Sequence, residues 1–216
     1  MTQRGSGSSS WVRVALPAVL GFAYYAFARP RMLRTGLQPG EVQRTFPGDD
    51  LIAAPNFEAT RAIFIKAAPE AVWPWIAQMG REQTGYYGLD QLTNGGIPSA
   101  AYLRQDLPVP QTGMALDGGY RLIEVEPNHL MLYGSFDQST PLGNVIERSV
   151  LVMLEPQPDG NTRLIVRERG YTYGMLGPLY NLIYEVIDYL QGMTQLDNIR
   201  QRAETAVSLF GRGGAG

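Results

Sequence analysis

Two clusters of side chains in this chain have the types and spacing for chemistry. The first is Tyr86, Tyr87 and Asp90 in "GYYGLDQLTN". A tyrosine offers an apolar ring with a hydroxyl at its tip, and a nearby carboxylate can orient a bound hydroxyl or pin its own loop. The second is "TRLIVRERG", where Arg163, Arg167 and Arg169 share one side of a strand by period-two spacing, while Leu164, Val166 and Glu168 share the other. Turned toward a ligand, the arginines would clamp an anionic group or pair with Glu185 or Asp188. Turned to solvent, they would form a hydrated face and leave Glu168 buried among apolar neighbours. A tyrosine, Asp90 and Arg167 or Arg169 could together polarise a carbonyl and shuttle a proton. Tyr133, Tyr180 and Tyr184 supply further rings that could serve binding or packing.

Much other chemistry is excluded by composition. The 216 residues contain no cysteine and one histidine, His129, so thiolate sites, disulfides, a cysteine nucleophile and a histidine triad are impossible within one chain. His129 follows Pro127-Asn128 and reads as a turn residue. The formal net charge of -2 gives no electrostatic reason to expect nucleic acid. Asp49-Asp50 is an adjacent carboxylate pair of the kind that is usually solvated. The Asn94-Gly95-Gly96 and Gly118-Gly119 stretches follow no strand in the way a phosphate loop requires. No cofactor or metal is expected, and no catalytic residue is assigned.

The elements that must position these residues follow from the hydrophobic pattern. Residues 1–10 are small and polar and read as a disordered leader. Residues 11–34, "WVRVALPAVLGFAYYAFARPRMLR", read as a hydrophobic helix with no charge from Val14 to Ala28. Roughly 18 apolar residues span about 27 Å against a hydrocarbon core of about 30 Å, so a single-pass membrane anchor is expected. The arginines beyond it lean toward a cytoplasmic main domain. A cleaved signal peptide ending near Ala26–Ala28, with export, and a buried or interfacial helix are the alternatives. Residues 35–57 are rich in Pro, Gly and Asp and read as a connector, 58–210 as the folded domain, and 211–216 as a flexible tail.

Within the domain, 59–67 reads as a strand, Pro69–Gly80 as a short helix, and Tyr86–Asn94 as a second short helix or tight loop. Residues 97–118 are irregular, as Pro98, Pro108 and Pro110 require. Residues 119–136 and 149–173 read as hairpins turning at Pro127-Asn128 and Asp159-Gly160-Asn161. A long helix follows from about Pro178 to about Leu209, with an apolar stripe of Leu179, Leu182, Ile183, Val186, Leu190, Met193, Leu196, Ile199, Ala203 and Val207. The order gives an α+β domain, a curved antiparallel sheet around a long C-terminal helix. Pro74, between Trp73 and Trp75, is tolerated only near a helix start, so the short helix is expected to begin near Ala71.

The segments "FPGDDLI", "PNFEATRAIFIKAAPEAVWPWIAQMG" and "GYYGLDQLTN" resemble the START-like or SRPBCC superfamily, in its polyketide cyclase/dehydrase-like branch. The resemblance spans roughly residues 46–205, with weaker support from "TRLIVRERG" and "NIRQRAE". It implies a helix-grip fold with a deep cavity between sheet and long helix that holds an apolar or amphipathic small molecule. By the same resemblance Tyr86, Tyr87 and Asp90 lie near the pocket entrance. Trp75, Tyr133, Arg167, Arg169 and Tyr184 complete the candidate ligand-binding set. Three functions stay open: a membrane-tethered binding or carrier module, a cyclase- or hydratase-type enzyme, and an assembly subunit of a membrane complex whose cavity is filled by side chains.

Overall fold

A computed structural model describes residues 10–81, 83–140 and 143–211. The expected leader up to residue 9 and the tail from residue 212 lie outside the described residues. Five runs rich in β-branched and other apolar residues form strands: β1 (Phe57–Ile65), β2 (Arg121–Glu126), β3 (Leu130–Ser139), β4 (Val145–Pro156) and β5 (Thr162–Tyr173). They pair antiparallel in one sheet ordered β1-β5-β4-β3-β2. The two hairpins turn where the turn residues stand. Asn128 takes φ 64° and Gly160 φ 80°, the left-handed region that asparagine and glycine enter most easily.

Strands β1 and β2 are the two edges of the sheet, so the chain between them must cross it. That crossing carries two short helices, α3 (Pro69–Ala77) and α4 (Asp90–Thr93), and then an irregular, proline-containing stretch. Helix α3 starts at Pro69, not near Ala71. Pro69 fills the first helical position, where its missing N–H needs no partner, and Pro74 is carried inside the helix. Trp73 and Trp75 are buried against the sheet with Val72 and Ile76. The expected second helix is a single turn, and the residues before it are loop.

Each face of the sheet has its own core. Ile65, Val150, Val152, Leu154 and Leu164 point to one side and pack with α3 and the end of the last helix. Leu130, Leu132, Leu151, Met153 and Ile165 point to the other and pack under Phe46 of the connector. The connector is therefore a cover, not a spacer. Gly36 lets it approach: a side chain there would meet the Ala62 carbonyl oxygen at 2.0 Å, and the Ala62 amide donates to the Thr35 carbonyl at 3.0 Å.

The chain ends in α5 (Gly177–Gly211), which lies on the first of these faces. Its expected apolar stripe is not one stripe. In the second half Leu196, Ile199 and Ala203 are at most 1% exposed. In the first half Leu179, Ile183 and Leu190 are 51–56% exposed, and Asn181 and Glu185 are buried instead. At 100° per residue the apolar side of the first half is rotated by roughly 150° from that of the second. One straight helix cannot bury both sides against one sheet.

The N-terminal segment is α1 (Ser10–Ala23), a π-helical turn (Tyr24–Ala28) and α2 (Arg29–Leu33). No helix among the described residues is long and apolar enough to cross a membrane, so the expected single-pass anchor is not supported. At 14 residues, α1 is shorter than the ~20 residues that a span needs, and it contains Pro17. The end of this segment is fastened to the domain. Arg29 grips Glu185 through both guanidinium arms at 2.6 and 2.8 Å, Tyr24 donates to Glu185 at 3.2 Å, and Leu33 is buried beside Phe57. The architecture is α+β, a five-stranded antiparallel sheet with a long C-terminal helix, and it fits the helix-grip arrangement.

Candidate functional site

Between the inner face of the sheet and the first half of α5 lies a cavity of about 870 Å³. Its floor is the sheet, through Ala59, Met131, Tyr133, Val150, Val166 and Glu168. Tyr184, Asp188, Gln191 and Gln195 of α5 form one side, and the crossing between α3 and β2 forms the rim with Met79, Tyr86, Pro108, Pro110, Met114 and Asp117. The stretch that prolines bar from regular structure thus becomes the wall. The cavity stays open because the residues of α5 that face it are polar or small, with Gly192 among them. A second, smaller cleft of about 250 Å³ lies between α2, the connector and the sheet, around Arg29, Leu33, Thr60 and the candidate Arg167.

The floor is largely apolar, with Glu168 and Arg61 as its charged groups. Ala59, Glu168, Val150, Tyr133 and Leu122 are register partners in turn, so they form one row across all five strands. Glu168 is 8% exposed. Its Oε1 accepts a hydrogen bond from the Tyr184 hydroxyl at 2.6 Å and lies 3.5 Å from Arg148 Nε. Among the described residues no hydrogen bond reaches its Oε2. Burial pushes the carboxyl up and the neighbouring Asp188 charge pushes it further, while Arg148, Tyr184 and Arg61 pull it back; it rests at about 8. A carboxyl of this kind is mostly protonated at neutral pH.

The groups around it explain why it is left so. Asp188 is compensated, since Arg61 Nη2 donates to it at 2.7 Å while Arg61 Nε donates to the Met32 carbonyl at 3.1 Å. Arg148 is turned away: its terminal nitrogens donate to the Glu147 carbonyl at 3.0 Å and to Thr172 at 3.2 Å, and its buried Nε has no hydrogen-bond partner. Gly170, its partner on β5, makes the room, because a side chain there would meet Arg148 Nη1 at 2.1 Å. Tyr120 and Tyr133 stand edge to face, their ring centres 5.6 Å apart. Burial pushes both phenols well up, which keeps their protons on at any physiological pH. Tyr86, at the rim, donates to Asp117 at 3.2 Å and is pushed up to about 12 by burial and by Asp117.

The structure divides the sequence candidates. Tyr86, Tyr133 and Tyr184 line the cavity. Trp75 does not; it is buried in the core against Tyr87. Tyr87 is fully buried, with its hydroxyl bonded to Gln78 at 2.6 Å and Thr84 at 3.1 Å, so it ties the loop to α3. Asp90 accepts from the amide and hydroxyl of Ser99 at 2.8 and 2.6 Å and pins its loop. Arg167 and Arg169 are on the opposite face of the sheet, as β5 alternation demands, but that face is not solvated. Arg163 pairs with Glu41 at 2.6 Å, Arg167 with Asp49 at 2.6 Å, and Arg169 with Glu58 at 2.9 Å. Asp49 is therefore an ion-pair partner. Burial would raise the Glu41 carboxyl, but Arg163 holds it below the ordinary range. Tyr180 stacks on Tyr184, and His129 bonds Glu126 at 2.6 Å in an exposed turn.

Glu168, Asp188, Tyr120 and Asp117 also line the cavity and were not among the candidates. Glu168 had a signal, since it shares the strand face of Leu164 and Val166. Asp117 lies in the irregular stretch before β2, in a 3-10 turn where no periodicity assigns a direction, and Tyr120, read as part of the hairpin, falls just before the strand.

Comparison with known proteins finds no matching family model and no matching curated protein. Solved structures give distant likenesses. A protein of Mesorhizobium loti is 16% identical with a TM-score of 0.44, over 68% of this chain and 97% of that one. A protein from the dynemicin biosynthetic locus is 17% identical with a TM-score of 0.41, over 66% of this chain and 47% of that one. A hypothetical protein of Helicobacter pylori is 9% identical with a TM-score of 0.49, over 74% and 95%. At these scores the likeness carries no information on function.

Proposed function

We propose that this protein is a START-like, SRPBCC-type domain that binds a small molecule with an apolar body and one polar end. The observation that carries the reading is a chamber of ligand size whose largely apolar floor holds one buried carboxyl, Glu168. The volume of about 870 Å³ falls within the range of small-molecule pockets. Met131, Val150 and Val166 would take the apolar body, and Glu168 with the tyrosine hydroxyls the polar end. A chamber of this size does not favour an assembly subunit packed solid with side chains. Nile red is a suitable probe: its emission should shift to the blue and strengthen on titration. Val150→Trp, which fills the chamber, should abolish the change. An unchanged spectrum with the native protein would sink the reading.

A second reading concerns the N-terminal helix. Leu16, Val19, Leu20, Phe22, Tyr25 and Phe27 are 57–69% exposed, and the first forty residues hold five arginines and no Asp or Glu. Apolar side chains with basic neighbours suit the surface of a membrane bearing anionic lipid, on which the helix would lie without crossing. Co-sedimentation with phosphatidylcholine vesicles containing phosphatidylglycerol should exceed that with phosphatidylcholine alone, and Leu20→Asp with Phe22→Asp should remove it. Equal, negligible sedimentation with both vesicles would contradict this second reading.

A further inference from the structure

We propose that the chamber is an acid–base site that enolises a bound ketone, with Glu168 as the group that exchanges the proton and the Tyr120 and Tyr133 hydroxyls as donors to the carbonyl oxygen. The proposal rests on ligand binding in this chamber and adds a reaction to it.

The geometry supplies both halves of the reaction. Tyr133, Val150 and Glu168 are consecutive members of one cross-sheet row, all on the inner face. A phenol and a carboxyl thus flank Val150, with their Cα atoms about 10 Å apart at about 4.8 Å per strand. A ketone lying on Val150 would present its oxygen to one side and its neighbouring carbon to the other. Tyr184 donates to Glu168 Oε1 at 2.6 Å, which fixes the carboxyl and leaves Oε2 as the oxygen free to carry the proton. Among the described residues neither the Tyr120 nor the Tyr133 hydroxyl has a hydrogen-bond partner, so both remain available to a ligand.

The step balances without another reactant. The Glu168 carboxylate takes a proton from the carbon beside the carbonyl. The C–H electron pair becomes the new C=C bond, and the carbonyl π pair moves to oxygen, where the two phenols stabilise it. Return of the proton, to the same carbon or to a conjugated one, restores the ketone and the carboxylate. A protein donor preorganised at the oxygen and a base matched to ambient pH are the two requirements.

Several charged or titratable groups face Glu168 and set its behaviour with pH. Helix α5 presents Tyr180, Tyr184 and Asp188; β4 presents Arg148; β1 presents Arg61. Tyr120 and Tyr133 face it from the loop before β2 and from β3. The phenols stay protonated, and Asp188 and Arg61 are locked in a pair. Glu168 is then the group left to titrate near neutrality, at about 8. Only its ionised form is a base, so the rate should rise with pH and level off above about 8.

The test uses 2-tetralone in D₂O with the full chain, following loss of the methylene proton signals by NMR. Exchange should exceed the buffer rate at least ~100-fold, the usual size of a general-base contribution. Glu168→Gln should return it to the buffer rate, and Tyr133→Phe should slow it ~10-fold or more. Both variants should still bind 2-tetralone, read as displacement of Nile red. Bound 2-tetralone that exchanges no faster than in buffer, or equally fast with Glu168→Gln, overturns the proposal and leaves the binding reading intact. Failure of 2-tetralone to displace bound Nile red overturns the ketone assignment alone. Failure of Nile red itself to bind removes both.

Discussion

The two halves of α5 face the same sheet with opposite chemistry. The second half turns Leu196, Ile199 and Ala203 inward and closes a dry core with α3. The first half turns Asn181, Tyr184, Glu185 and Asp188 inward and leaves Leu179, Ile183, Val186, Ile187 and Leu190 outside. Where apolar meets apolar, the space fills. Where polar side chains meet an apolar floor, each needs a partner, and the space between stays open. Glu185 finds Arg29, Asn181 finds Thr172 and Asn56, and Asp188 finds Arg61. Glu168, across from them, has Tyr184 at 2.6 Å and only a looser ion pair with Arg148 at 3.5 Å. A chamber is thus what results when one helix carries two faces that do not line up.

This contrast can be broken most severely through charge. Arg61→Ala would leave the Asp188 side chain, 11% exposed, without its partner, and the expected loss is about 3 kcal/mol in urea denaturation. A loss under about 1 kcal/mol would mean that the first half is wet enough to solvate the carboxylate. In the second half, Leu196→Ala should cost about 3 kcal/mol, as expected for a leucine truncated in a packed core. A much smaller loss would show that this half is not tightly packed.

Glu168 sharpens the comparison through pH. Its folded-state carboxyl titrates well above an unfolded one, so between the two the folded state holds the extra proton. Stability should therefore fall as pH rises from the ordinary carboxylate range toward about 8, with a slope of up to about 1.4 kcal/mol per pH unit. Glu168→Gln should flatten that slope in thermal melts across the same window. Identical pH dependence in native protein and variant would show that the carboxyl is not desolvated. The smallest effect belongs to the outer face of the first half. Ile183→Ala should change stability by no more than about 0.5 kcal/mol, and a loss comparable to that of Leu196→Ala would mean that something covers this face.

Much of this could be read from the chain, where short-range rules apply. The turn residues Asn128 and Gly160 mark both hairpins, alternation marks β4 and β5, and the long α5 was evident from its length and spacing. The break in α5 was also present in the wheel positions of Leu179 and Ile199, but a list of apolar residues at helical spacing hides a shift in their direction. The connector could not be read at all as a cover. Glu41 meets Arg163, and Asp49 meets Arg167, across more than a hundred residues of chain, and no local pattern pairs them. That cover is what pairs the arginine face of β5 with carboxylates on the side of the sheet away from the main chamber. Of the two roles open to Asp90 in the sequence, the structure shows the loop pin, and Tyr87 likewise ties its loop through Gln78 and Thr84.

The central claim is that the first half of α5 leaves a chamber with a desolvated carboxyl on its floor. A ¹³C NMR titration of the Glu168 side-chain carboxyl, assigned by comparison with Glu168→Gln, tests it most directly. The expected midpoint is about 8 in the free protein. A midpoint near ~4.3, that of a glutamate in water, would contradict it.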